Sequence, residues 1–393
     1  MVPWTRMRAL KTAFLVVVVS ACTTFGSGGD APPVDGGSIA DAGPTVDATE
    51  SPDASRADAA DAADAETPSR CALVPRGTTS PCVSCETEVV ATLGTMYAFD
   101  LAVDTSHVYW IEQADRDGKS AGVVKRKELG KTSPAELVTD KALPGAPRHL
   151  VLTDLDVWVA GEPSTNAKVR RFPKTCAGTC TTQLVTAEQH KVLSMTRVGG
   201  DVAFLSPDAV RFGGGSEIPL QTPLGALGGG IGGFDRTDVA LVREVTAGDP
   251  TVPVQLLRTP MSFPLAGLHP VANTGRSRGA SLVVGDCDGL WAIQHFESAT
   301  ALVRTGPGMS PPRIVDTGGT TFGLDADTTH AYFARPNVAG GLFRADVATG
   351  TVSSLVGAKD VWSVAVTNDW IYYDEHQQGG TARIMRVRKS SRP

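Results

Sequence analysis

LAVDTSHVYWIE (101–112) and VAVTNDWIYYDE (364–375) are two copies of one pattern: an apolar run, a polar turn, then a run rich in Val, Trp and Tyr. Five more copies lie between them: LVLTDLDVWVAG (150–161), MTRVGGDVAFLS (195–206), GFDRTDVALVR (233–243), LVVGDCDGLWAI (282–293) and LDADTTHAYFAR (324–335). Each is followed by an apolar residue and a basic one, at Lys125, Arg170, Arg211, Arg258, Arg304, Arg344 and Arg386, spaced 45, 41, 47, 46, 40 and 42 residues apart. Turn residues between two β-rich runs mark a hairpin. A hairpin recurring about every 44 residues predicts an all-β, seven-bladed β-propeller of four-stranded antiparallel blades.

Within each repeat the hairpin supplies strands a and b, and the apolar-basic pair marks strand c. A short outer strand d follows, as in AELVT (135–139), PRIVD (312–316) and VSSLV (352–356). The chain has six such d strands for seven c strands. TEVVATL (87–93), ahead of the first hairpin, carries the same apolar pattern and is expected to close the last blade. Closure removes the open strand edges that invite aggregation.

The N-terminus reads differently. Residues 1–21 combine a basic start (Arg6, Arg8, Lys11) with a short apolar core and small residues before Cys22. This is the pattern of an export signal with a lipidation cysteine, and the apolar run is too short for a transmembrane helix. Residues 22–70 form an acidic Ala/Asp/Pro/Gly linker with too little apolar content to fold. As flexible coil it would span about 40 Å. The signal's +3 and the linker's −8 account for all but one unit of the chain's −6. The domain at 71–393 is therefore nearly neutral and shows no basic patch for nucleic acid. The expected setting is an exported protein anchored by lipid to a bacterial, outer, membrane, facing the periplasm or the surface, and acting as a monomer.

Six cysteines remain, an even number suited to an oxidising compartment. Cys176 and Cys180 are expected to pair across a tight turn. Cys71, Cys82, Cys85 and Cys287 allow three connectivities, among which a bond from Cys82 or Cys85 to Cys287 would tie the closing strand across the ring. No zinc, nucleotide or hydrolase motif is present, and no cofactor is implied. The stretch from Gly228 to Gly233 fits GxGxxG but precedes no helix, and reads as a flexible glycine connection. The Asp-x-Asp pairs Asp154/Asp156, Asp286/Asp288 and Asp325/Asp327 read as turn formers rather than calcium ligands. His107 and His330 share one repeat position and read as structural. The seven c-strand basics do too, with their charged heads at the surface.

Up-and-down blades place the a–b and c–d turns, with the cysteines, on one face of the ring. The d–a and b–c connections fall on the other. Residues there that escape the repeat are the ligand candidates: Arg148, His149, His190, Arg276, Arg278 and Lys359 from d–a connections, Glu297, Glu375 and His376 from b–c loops. The blade pattern resembles NHL-like repeats and, more closely, the repeats of secreted bacterial propeller lipoproteins. Streptogramin-type lyases are similar, but their His/Glu motif has no match here. The resemblance implies a fold more than an activity. Two functions follow: a non-enzymatic scaffold binding a protein, glycan or small ligand, or a lyase or hydrolase using a His/Glu pair on the d–a face. Convergence of His149 or His190 with Glu297 or Glu375 would favour the enzyme, and an aromatic or apolar patch the scaffold.

Overall fold

A computed structural model describes residues 74–77, 86–115, 121–139, 143, 147–161, 168–176, 183–185, 192–220, 229–234, 238–244, 253–260, 269–276, 280–295, 300–306, 309, 313–337, 339–357, 359–377 and 381–390. These form seven four-stranded antiparallel sheets. The innermost strands are Tyr97–Val103, Pro147–Leu152, Ser194–Val198, Gly229–Phe234, Ala280–Gly285, Leu324–Ala326 and Val364–Val366. Each touches the next, and the last touches the first. We number the sheets as blades 1 to 7 in that order. The outer strand of blade 7 is Thr87–Gly94, which pairs antiparallel with Ala382–Arg388, so the first strand of the ring lies against the last. Glu88 and Arg386 are register partners there, joined by a 2.6 Å ion pair.

The continuous apolar runs of the b strands follow from this stacking. Side chains alternate across a strand, and each blade is covered on both faces by neighbours. In blade 1, Val108 and Trp110 pack towards blade 7 with Ala365, Tyr372 and Leu93. Tyr109 and Ile111 point the other way, onto Leu150, Val157 and Phe172 of blade 2. The seam between blades 6 and 7 is built likewise from Tyr332, Ala334, Ile371 and Tyr373. The core is thus a set of slabs between blades.

One turn position does double work. Asp104, Asp286 and Asp327 each cap their a–b turn with one carboxylate oxygen, accepting backbone N–H groups two and three residues ahead. The other oxygen takes a cation: Lys174 at 2.9 Å, Arg304 at 2.6 Å and Lys389 at 2.7 Å. Arg304 is therefore buried against Asp286, not surface-headed as its repeat position suggests, because a carboxylate buried in the turn needs a countercharge. Lys174 and Lys389 come from the blade following the turn they serve. Each donates its own backbone N–H to an equivalent turn carbonyl, Leu155 and Asp369.

Residues 74–77 lie across the same face. The Pro75 carbonyl accepts from Thr328 N–H, Arg76 N–H donates to Asn368 Oδ1, Gly77 N–H donates to Thr328 Oγ1, and Lys389 Nζ reaches the Arg76 carbonyl. Gly77 sits so close that a methyl group there would lie 2.0 Å from Thr329 Oγ1.

The glycine stretch of blade 4 corrects an expectation. Gly229–Phe234 is the innermost strand itself, not a flexible connection. A Cβ on Gly232 would stand 2.3 Å from the Val283 carbonyl oxygen, and one on Gly230 2.7 Å from a Val283 methyl. Glycine lets blades 4 and 5 approach closely near the axis. Arg276, expected in a connection, is also a strand residue, pairing with Pro253 at the outer edge of blade 4.

Candidate functional site

Around the axis the innermost strands enclose a cavity of about 1410 Å³. Towards the a–b face it is bounded by turn residues such as Asp104, Asp154 and Asn368, with Val74 and Pro75 among them. Towards the d–a face its lining includes Phe99, Arg148, His149, Leu193, Phe322 and Trp362.

Sheet register explains this second group. Leu101, Leu150, Met195, Ile231, Val283, Leu324 and Val364 occupy one equivalent position, opposite the fourth residue of the b strand in six blades and the third in blade 5. Two residues earlier the chain reads Phe99, Arg148, Leu193, Gly229, Ser281, Phe322 and Trp362. Five of these line the cavity: aromatic residues in blades 6, 7 and 1, cationic Arg148 in blade 2 and Leu193 in blade 3.

The aromatic arc is held in place. Trp362 donates its indole N–H to Asp360 Oδ1 at 2.9 Å and its backbone N–H to buried Asp374 Oδ1 at 2.8 Å. Phe322 packs on its ring with centroids 4.9 Å apart, yet remains 45% exposed. Ser363 donates its backbone N–H to Asp374 and its hydroxyl to the Phe99 carbonyl at 2.9 Å, linking blade 7 to blade 1. The Arg148 guanidinium stands 5.3 Å over the Phe99 ring.

Just inside the rim, Asp100 accepts from its neighbour Leu101 N–H at 2.9 Å and, across the blade boundary, from Leu150 N–H at 2.7 Å. Asp325 makes the same kind of bridge from blade 6 to Val366 N–H of blade 7 at 2.8 Å. It belongs to the inner strand, not to a turn. Burial pushes the Asp100 carboxyl up to about 7 against the pull of those two N–H groups, with the charges of Asp374 and Asp325 adding to the rise. Burial, helped by the Arg148 charge, pushes His149 down to about 4, so its imidazole is neutral.

The sign of the Asp100 effect is testable. Between pH 4 and 7 the unfolded chain has released this proton while the folded chain keeps it. Stability from this group therefore falls as pH rises through that window, by at most about 4 kcal/mol. Asp100→Asn should remove that component, visible in denaturant unfolding at pH 4.5 and 7.5. An unchanged pH difference in the variant would show that Asp100 does not hold its proton.

The sequence candidates separate into three groups. Arg148 and His149 lie at the cavity, in strand Pro147–Leu152 rather than in a connection. Lys359, Glu375 and His376 form a second group that is tied up structurally. Glu375 ends a strand, is buried, and pairs with Lys359 at 2.8 Å. His376 is buried too; it bonds Asp374 at 2.8 Å and stacks on Tyr97 at 5.2 Å. These two are strand and seam residues, not free loop residues, because strand b of blade 7 runs to Glu375 and His376 bridges to Asp360. Among the described residues no hydrogen bond joins His149 to Glu375, and no three His, Cys, Asp or Glu side chains are placed to share a metal ion.

A third group lies outside the described residues: His190, Arg278, Glu297, Cys22, Cys71, Cys82, Cys85 and Cys180. Cys176 and Cys287 are described, on the a–b side as expected, and are disulfide-bonded. The aromatic arc lies outside the titratable candidates that the sequence singles out. Its signal was present: Phe or Trp recurring two residues ahead of the repeat's first core residue.

No protein-family model matches this chain, and no curated protein does. Solved structures do match, through the fold. The β-propeller domain of the Trilobed protease from Pyrococcus furiosus is 8% identical, with a TM-score of 0.53 over 75% of this chain and 93% of that one. YCF48 bound to D1 peptide is 12% identical, with a TM-score of 0.50 over 81% and 100%. A puromycin-hydrolyzing peptidase of Mycobacterium tuberculosis is 11% identical, with a TM-score of 0.52 over 80% of this chain. Only 56% of that peptidase is covered. These likenesses support a propeller of four-stranded blades and do not single out NHL-like or streptogramin-lyase repeats.

Proposed function

We propose that this chain is an exported lipoprotein that presents its propeller as a non-enzymatic binding module. One observation carries the binding reading: an arc of aromatic side chains, Phe322 exposed among them, at the mouth of a roughly 1410 Å³ cavity. Cavities with mixed apolar and polar walls are the usual form of a ligand site. Two of the His and Glu candidates, Glu375 and His376, are occupied in structural pairs, which supports it. YCF48, similar in fold, is a protein seen with a bound peptide. The enzyme alternative rests on Asp100 and His149, whose displaced proton affinities occur in one cavity, as they do in many catalytic sites.

A thermal-shift series on the full chain with saccharides, peptides, metals and anions separates the readings. A ligand at a hundred times its Kd stabilises by about 2.7 kcal/mol. Stabilisation without consumption of the compound supports a binding module; turnover of the compound supports the enzyme.

Anchoring rests on Cys22 after a basic and apolar leader. Cys22→Ala is expected to move the protein from membrane pellets to the soluble fraction, and continued pelleting would remove the lipid anchor from this reading. Pairing of Cys176 with Cys180, and of Cys287 with Cys82 or Cys85, belongs to the same proposal. Peptide mapping without reductant reads it directly.

A further inference from the structure

We propose that the d–a mouth of the axial cavity is a saccharide-binding site, with Phe322 and Trp362 as its stacking shelf and Arg148, His149 and Asp100, beside Phe99, as its hydrogen-bonding wall. The proposal deepens the binding-module reading and rests on it.

The first argument comes from the repeat. One repeat position supplies Phe322, Trp362, Phe99, Arg148 and Leu193 to the mouth, and the sequence carries Gly229 and Ser281 at that position in blades 4 and 5. Large rings at the same position in blades 6, 7 and 1 are thus no requirement of blade geometry. Phe322 is the clearest case. It leaves nearly half its surface in solvent, although burying an aromatic ring is favourable.

The second argument is rigidity. Trp362 is fixed through its indole and backbone N–H groups, and Phe322 rests on it. Rigid rings offer contact area at little entropic cost. Asp360 occupies the Trp362 indole N–H, so the ring offers its face rather than a donor. Aromatic faces carry partial negative charge and suit the weakly positive C–H faces of pyranose rings.

The third argument is the wall behind the shelf. Arg148 donates only, while neutral imidazole and a carboxyl that keeps its proton each donate and accept. Such a set matches hydroxyl groups, which also do both. It lies contiguous with the shelf: Ser363 is bonded to the Phe99 carbonyl, Arg148 stands over the Phe99 ring, and Asp100 bonds Leu150 beside His149.

The test uses the full chain and a defined panel of malto-, cello-, chito- and galacturono-oligosaccharides, followed by titration calorimetry of any binder. Saturable binding is expected, weakened at least tenfold by Phe322→Ala and unchanged by Leu155→Ala, an exposed residue of an a–b turn. Phe322 is exposed, so its variant should fold, and circular dichroism checks this. Binding that Phe322→Ala leaves intact would overturn the site. Absence of binding across the panel would overturn the saccharide assignment. Binding of a peptide array instead, sensitive to Phe322→Ala, would overturn the saccharide assignment but keep the binding module. Failure with saccharides and peptides alike, by a folded protein, would count against both.

Discussion

A chain lacking Thr87–Gly94 is expected to lose its single cooperative unfolding transition and to aggregate. That strand buries Ala91 and Leu93 in the slab between blades 7 and 1. It also satisfies the outer backbone edge of Ala382–Arg388. Its loss opens a seam next to Trp110 and Tyr372 and leaves an unpaired edge, the usual route to association between sheets. Natural domains have only about 5–15 kcal/mol in hand, and a single buried Leu truncated to Ala already costs about 2–5 kcal/mol. Removing the strand therefore threatens the whole margin. Glu88→Gln, by contrast, touches only a partly exposed ion pair and should cost less than about 1 kcal/mol. Calorimetry and light scattering on the two variants read the difference. A deletion variant that melts cooperatively within a few degrees of the parent would mean that the ring does not depend on this strand.

The second large effect concerns Lys389 and Asp327, whose side chains are fully buried at 2.7 Å. Lys389→Met should cost about 3–5 kcal/mol, the usual penalty for stranding one buried charge. The double variant Asp327→Asn with Lys389→Met should recover much of that loss, since a neutral pair strands nothing. Burial alone would raise the Asp327 carboxyl. The Lys389 charge and bond, the turn N–H of Thr329 and the Tyr332 hydroxyl outweigh it and hold it below its ordinary value. A carboxyl depressed in the folded state contributes stability above its unfolded value, near 4, and loses it as pH falls through the lower folded value. The acid sensitivity of the parent should thus weaken in the double variant. Urea unfolding from pH 2.5 to 7 measures both effects. A single variant as stable as the parent would show that the pair is not a keystone.

Blade architecture was legible because burial on both faces forces runs such as HVYWI, and because turns with Asp, Asn or Gly punctuate them. The closing strand was legible from counting, six outer strands for seven places. Gly229–Phe234 was not, because its glycines answer to Val283 some fifty residues away. Nor was the fate of Glu375, a strand residue whose partner Lys359 precedes the innermost strand of the same blade, or of Arg304, drawn inward by a turn carboxylate. Pairings of this kind depend on which blades meet, and local pattern does not carry that. The rim lay between the two cases. Its residues obey the repeat in position and depart from it only in chemistry, so a filter for residues that break the repeat passed over Phe322 and Trp362.

The segment Pro75–Gly77 has a mechanical consequence. Chain ahead of Val74 joins the ring beside its axis, through bonds to Thr328, Asn368 and Lys389 that divide between blades 6 and 7. A pull from that direction loads these bonds first and together. Only after they part does tension pass on towards Thr87, where the closing strand would peel if the proposed bond from Cys82 or Cys85 to Cys287 did not take the load first. The short segment works as a strain relief, sparing the seam that holds the circle shut.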